Sequence, residues 1–248
     1  MTVLTISLMF IAGFFSGAIN AIAGGGTFLT FGVLTLVGLP AVTANATSSI
    51  IQFPGYITST LAYFKEVGSL WKSALALGIV SIIGALLGAL FLMSLSNPAF
   101  RVMVPWLLLA ATLVFAAGPW LKPRNSGERH AATPLGLIVQ AITAFYGGFF
   151  GAGMGIMMLA SLGLATGGDY HRLNALKNFL SIIIAAVAIA VFSTAGAVSW
   201  LHAAIMVPAA ALGGYVGVHT AKRVPQTMLR WIVVAAGLAL SLYYFFTG

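Results

Sequence analysis

The sequence predicts an all-α polytopic membrane protein, with about eight hydrophobic helical segments in two pseudo-symmetric four-segment repeats, the second inverted, and broken helices at the glycine motifs. Three observations carry this expectation. Of 248 residues, 60% are hydrophobic and only 6% charged, against roughly 25% charged in soluble domains. The apolar residues gather into stretches of membrane-spanning length. The chain is also duplicated: Asn45-Ala46-Thr47-Ser48-Ser49 follows Gly24-Gly25-Gly26 as Asn174-Ala175-Leu176-Lys177-Asn178 follows Gly153-Met154-Gly155, at a constant offset of 129 positions.

The first apolar run, 4–39, starts at Leu4 without a basic leader or a clear small-residue cleavage site. It reads as a retained membrane segment rather than a signal peptide. It is too long for one straight crossing of about 30 Å of hydrocarbon, and Gly24–Gly26 interrupt it. Segments 44–64, 70–95 and 99–121 each supply roughly the 20 residues a spanning helix needs. A polar linker, 122–133, holds Pro123-Arg124-Asn125-Ser126-Gly127-Glu128-Arg129-His130 and divides a first repeat, 1–121, from a second, 134–248. The second begins with 134–166, again overlong and broken by glycine, and continues through 173–194, 199–221 and 226–247.

The same offset relates Trp71 to Trp200, Gly84 to Gly213, Gly88 to Gly217 and Arg101 to Arg230. In a chain so rich in Ala and Leu, the recurrence of Trp, Asn and Arg carries the argument. Gly84-xxx-Gly88 and Gly213-xxx-Gly217 are small-xxx-small faces for close helix packing in lipid. Trp71, Trp106, Trp120, Trp200 and Trp231 are expected near segment ends as interfacial anchors.

Basic residues argue the topology. Eight complete crossings would put Lys65, Lys72, Lys122, Arg124 and Arg129 on one side, and Arg101, Arg172, Lys222, Arg223 and Arg230 on the other. That even split violates the positive-inside rule. If 27–64 and 156–194 instead enter only partway and return as hairpins, Lys65, Lys72, Lys122, Arg124, Arg129, Lys222, Arg223 and Arg230 share the cytoplasmic side and Arg101 stands outside. Each half then makes an odd number of full crossings, which inverts the second copy, a common transporter design.

Several function classes find no support. Cysteine is absent, which removes disulfides, thiolate chemistry and Cys-ligated metals. His202 and His219 have no carboxylate companions, so no metal site is expected. No nucleotide-binding loop is present, so ATP does not drive the protein directly and no cofactor is implied. An intramembrane serine hydrolase using Ser48 or Ser49 would need a base, and neither a G-x-S-x-G elbow nor a nearby histidine occurs. No catalytic residue is assigned, and an enzyme is not expected. The net charge of +8 sits mostly in short connections, where it signals topology rather than nucleic-acid binding. The expected partners are the lipid bilayer and a small anionic substrate; a homo-oligomer is left open.

In hydrocarbon, glycine breaks and polar clusters persist only inside protein or beside a water-filled cavity. The candidate substrate-binding residues are therefore Gly24, Gly25, Gly26, Asn45, Thr47, Ser48, Ser49 and Gln52 in the first half, and Gly153, Gly155, Asn174, Lys177 and Asn178 in the second. Helix capping explains any one Asn, Ser or Thr, but four such side chains in five positions exceed one cap. Asn174, Lys177 and Asn178 share a helical face by their i, i+3, i+4 spacing. A lysine near the bilayer centre needs hydration, a partner or an anion. Asp169 is the acid nearest in sequence, and Asp169, His171 and Arg172 are candidates for coupling. Passive channel and secondary carrier share all these residues.

The chain resembles the sulfite exporter TauE/SafE family of anion permeases through Ala23-Gly24-Gly25-Gly26-Thr27, Asn45-Ala46-Thr47-Ser48-Ser49 with Pro54 downstream, Gly151-Ala152-Gly153-Met154-Gly155, and Asn174-Ala175-Leu176-Lys177-Asn178. The resemblance covers essentially the whole chain. It implies a multi-pass carrier of the bacterial inner membrane, built from two four-helix repeats, that moves sulfite, sulfonates or related small sulfur-containing anions.

Overall fold

The computed structural model describes residues 2–23, 25–62, 68, 71–117, 120, 133–166, 170–220 and 226–247. Within them lie ten helices: α1 (Val3–Ala23), α2 (Thr27–Leu36), α3 (Ala41–Ala62), α4 (Trp71–Ser94), α5 (Asn97–Ala116), α6 (Pro134–Phe149), α7 (Met154–Thr166), α8 (Tyr170–Thr194), α9 (Trp200–Thr220) and α10 (Gln226–Thr247). No strand occurs among the described residues. The eight expected segments become ten helices because each overlong run is split at its glycines, into α1 with α2 and α6 with α7. Among the described residues, five stretches are long and apolar enough to cross a membrane: Val3–Ala21, Trp71–Ser94, Asn97–Val114, Arg172–Thr194 and Trp200–Gly217. Helix α3 matches them in length, but its polar cluster lowers its hydropathy. The protein is thus an all-α, multi-pass membrane protein. Exposed Leu75, Ile79, Ile82, Ile83, Leu86 and Leu87 along α4 form the kind of surface that lipid covers.

Helices α3 and α8, α4 and α9, and α5 and α10 start 129 positions apart. Their packing follows the same pairing. Helix α1 lies along α9 and α6 along α4; α3 packs on α9 and α8 on α4; α5 packs on α10 and α3 on α8. Each half thus lends its first helix to the other half's fourth, and the repeats interlock rather than packing separately. The glycine faces permit this approach. A Cβ at Gly84 or Gly88 would lie 2.5 Å from the Ala141 carbonyl or 2.0 Å from that of Phe145, and one at Gly213 or Gly217 would lie 1.8 Å from Phe14 O or 2.7 Å from Ala18 O. With little hydrophobic drive between helices in lipid, such close packing is what holds them.

The hairpin 27–64 has unequal arms. The Ser16 hydroxyl donates to the Gly26 carbonyl at 2.6 Å, so α2 folds back along α1. Ten residues then rise about 15 Å, against about 33 Å for the 22 of α3. Asn97 Oδ1 accepts from the Val42 amide at 3.1 Å, which sets the α2–α3 turn beside the α4–α5 turn. The hairpin tip therefore reaches the end of the bundle rather than stopping partway. Trp71 and Trp200 open α4 and α9 and are exposed, as anchors should be. Trp106 differs: it stands in mid-α5, edge-on to Phe245 at 5.0 Å, because α5 and α10 run antiparallel and bring aromatic residues together there.

Candidate functional site

The two breaks solve their geometry differently. At the first, Gly26 is helical (φ −61°). Its need for glycine is steric, since a Cβ would sit 2.0 Å from the Ser16 carbonyl. Gly25 is buried beside it, and Gly24 lies outside the described residues. At the second, Gly151 and Gly153 have φ of +75° and +74°, the left-handed conformation that favours glycine. The Tyr146 hydroxyl donates to the Ala152 carbonyl between them at 2.8 Å. Gly155 instead falls within the first turn of α7, so Gly151 and Gly153 make this break. The sequence reading missed Gly151 as a site residue, although it stands in the motif quoted for the family resemblance.

Helices α3 and α8 carry the polar clusters. Thr47 Oγ1 accepts from the Ser199 amide at 3.0 Å, just past the end of α8, while Tyr56 packs against the core that holds Leu173, Leu176 and Leu180. The two helices are therefore antiparallel, and the clusters sit toward opposite ends of the pair. Thr47 serves as a cap for the chain entering α9.

The remaining α3 residues keep acceptors free. Asn45, 1% exposed, donates Nδ2 to the Phe149 carbonyl at 2.9 Å. That carbonyl only accepts, so the amide orientation is forced and Oδ1 is left without a partner. Gln52 is fixed in the same way. Ser16 commits its one proton to Gly26, so it can only accept from Gln52 Nε2; Gln52 also reaches Thr30 Oγ1 at 3.4 Å, and Oε1 is left over. Ser48 Oγ is buried and unpartnered, and the Ser49 hydroxyl donates to the Asn45 carbonyl at 3.3 Å.

In the first half of α8 the unpartnered buried atoms are Asn174 Oδ1, Asn178 Nδ2 and Ser181 Oγ, with Ser193 Oγ a fourth at the far end of the helix. The first three stand 129 positions after Asn45, Ser49 and Gln52. Ser181 is a further candidate, marked by its offset from Gln52 but absent from the sequence expectation. Lys177, at the position matching Ser48, is 3% exposed. Among the described residues it has no hydrogen bond and no carboxylate partner. The chain's three acids, Glu66, Glu128 and Asp169, lie outside the described residues, so the expected Asp169 coupling role falls there too. His171 and Arg172 open α8, and Arg172 has an interaction partner.

A cavity of about 20 Å3 lies between the clusters, lined by Thr27, Ser49, Gln52 and Tyr56 on one side and by Gly147, Gly151 and Ala185 on the other. It joins the first-half cluster to the second-half break. Asn174, Lys177 and Asn178 do not line it. Among the described residues no group of His or acidic side chains is placed to hold a metal ion.

The chain matches the sequence profile described as Sulfite exporter TauE/SafE over residues 9–244. It is 27% identical over 229 residues to a probable membrane transporter protein of Haemophilus influenzae, covering 92% of this chain and 90% of that one. It is likewise 27% identical to the probable membrane transporter protein ORF9 of Sinorhizobium, covering 96% and 91%. With the probable membrane transporter protein YfcA of Escherichia coli K12 it shares 26% identity, over 96% and 88%.

Proposed function

The chain belongs to the sulfite exporter TauE/SafE family and is a membrane transporter; from that premise we propose that it is a secondary carrier of small sulfur-containing anions, such as sulfite or organosulfonates, in the bacterial inner membrane. One observation supports the substrate charge above the rest. Lys177 is almost fully buried in α8, with no partner among the described residues, beside Asn174, Asn178 and Ser181. A buried ammonium without a counter-charge is costly, and an entering anion relieves that cost. A sulfite or sulfonate head offers three acceptor oxygens, which suit the ammonium, the spare Asn178 Nδ2 and the Ser181 hydroxyl.

The first-half cluster enters this reading differently from the sequence expectation. Asn45 and Gln52 spend their donors on protein carbonyl and hydroxyl groups, so the anion-binding role is assigned to Lys177, Asn178 and Ser181, while Asn174, like Asn45, leaves an acceptor over. We further infer that the halves 1–121 and 134–248 are inverted in the membrane. The matching helix starts and the exchanged packing of α1 with α9 and α6 with α4 support it. Cysteines placed at Lys65, Lys122 and Arg223 should then all be labelled from the cytoplasm; labelling of Lys65→Cys and Arg223→Cys from opposite faces would sink the inversion.

Counterflow in proteoliposomes tests the carrier. Internal sulfite should accelerate uptake of external labelled sulfite, with sulfoacetate, taurine and sulfate as competitors. Trans-acceleration requires alternating access, so its absence alongside saturable flux would leave a channel as the better description. Lys177→Met should lose this exchange while still inserting and folding.

A further inference from the structure

The cavity between α3 and the α6–α7 break holds no charged side chain, and the Thr27 and Tyr56 hydroxyls of its lining stand beside groups that can only accept. Gln52 presents an oxygen, because Ser16 can only accept and so holds the amide nitrogen. Ser49 has committed its proton to the Asn45 carbonyl, which leaves lone pairs on its Oγ. The opposite wall combines the backbone at Gly147 and Gly151 with the apolar side chains of Phe150, Met154, Ile184, Ala185 and Ala188. Next to the cavity on the same helix, Asn45 Oδ1 and Ser48 Oγ are also buried without partners. A buried acceptor that finds no donor is expensive to keep, and Asn45 Oδ1 and Gln52 Oε1 are two such acceptors on one face of α3.

The geometry points to a binding site in this cavity for a desolvated monovalent alkali cation, held by Gln52 Oε1, Ser49 Oγ and backbone carbonyls of the 147–151 break. The site is distinct from the anion site on α8. The volume of about 20 Å3 admits one particle of water size. A neutral oxygen set suits a single positive charge, whereas divalent cations call for carboxylates, and none lines the cavity. Unwound backbone beside a membrane-embedded site is a recognised means of ligating sodium. Ile184, on the cavity wall, is seven residues along α8 from Lys177, roughly 10 Å of helix rise. Cation and anion would therefore lie against the same helix at a separation where their charges attract, and this assigns the cation the role of coupling ion. This last step rests on the carrier reading; the cation site itself does not.

The test uses the purified full chain in detergent. Thermal unfolding is followed at constant ionic strength while sodium chloride replaces choline chloride, with a parallel potassium series to identify which alkali cation is taken. The expected result is a saturable rise in Tm with one of the two. Ser49→Ala should raise the half-saturating concentration about tenfold or more, from loss of one ligand. Gln52→Leu should remove the response; should that variant fail to fold, Ser49→Ala decides. Equal melting in sodium, potassium and choline would mean that the cavity holds water and would overturn the site, as would a saturable shift unchanged by Ser49→Ala. Lys177→Met separates the two proposals: it should keep the cation response while losing the response to sulfite.

Discussion

A methyl group added at Gly26 and one added at Gly153 would meet different obstacles, although the two glycines hold comparable places in their halves. At Gly26 the backbone is ordinary helix and the Cβ would strike the Ser16 carbonyl at 2.0 Å. At Gly153 the nearest atom is Ala111 Cβ at 3.2 Å, and the difficulty is φ of +74°. The first break is a close approach, the second a left-handed turn. Their polar neighbourhoods diverge likewise. Ser16, Gln52 and Thr30 form a network around the first break, where the offset positions hold Phe145, Ser181 and Leu159. Gln140 of the second half links Ser161 of the same half and Ser81 of the first at 2.8 and 3.0 Å, where the offset positions hold Ile11, Gly32 and Ala210. The two halves share the course of their helices but not their polar chemistry, with spare acceptors on α3 and, on α8, a cation without a partner among the described residues.

That contrast can be broken by substitution. Gly26→Ala should destabilise most, by about 3 kcal/mol or more, because rigid backbone must move aside. Detergent unfolding would show it as a large fall in Tm, and an unchanged Tm would remove the close approach from the argument. Lys177→Met should weaken sulfite binding by about 2 kcal/mol, over tenfold in Kd, while Tm holds or rises because a buried charge is lost. A fall in Tm with unchanged Kd would recast the lysine as a structural partner. Gly153→Ala should cost about 1–2 kcal/mol, the penalty for a left-handed alanine, and so less than Gly26→Ala; the reverse order would contradict the contrast between the breaks. Ser48→Ala, at the position matching Lys177, should change the sulfite Kd by less than about twofold, since it deletes no charge. An effect as large as that of Lys177→Met would return the first cluster to the anion site.

The sequence alone determined the membrane class, the constant offset between the halves and the glycine interruptions of the two overlong runs. Each follows from local chemistry: an apolar run long enough to span lipid must be helical to satisfy its backbone, and an internal offset is arithmetic. It also singled out Lys177, because a lone cation in an apolar run is conspicuous without coordinates. Only the tertiary structure decided how the halves interlock, since the exchange of α1 and α6 between them depends on which glycine face meets which carbonyl. It alone separated the spent donors of Asn45 and Gln52 from their spare oxygens. An amide carries both a donor and an acceptor, and which of them remains free depends on partners at Phe149 and Ser16, 104 and 36 positions away in sequence.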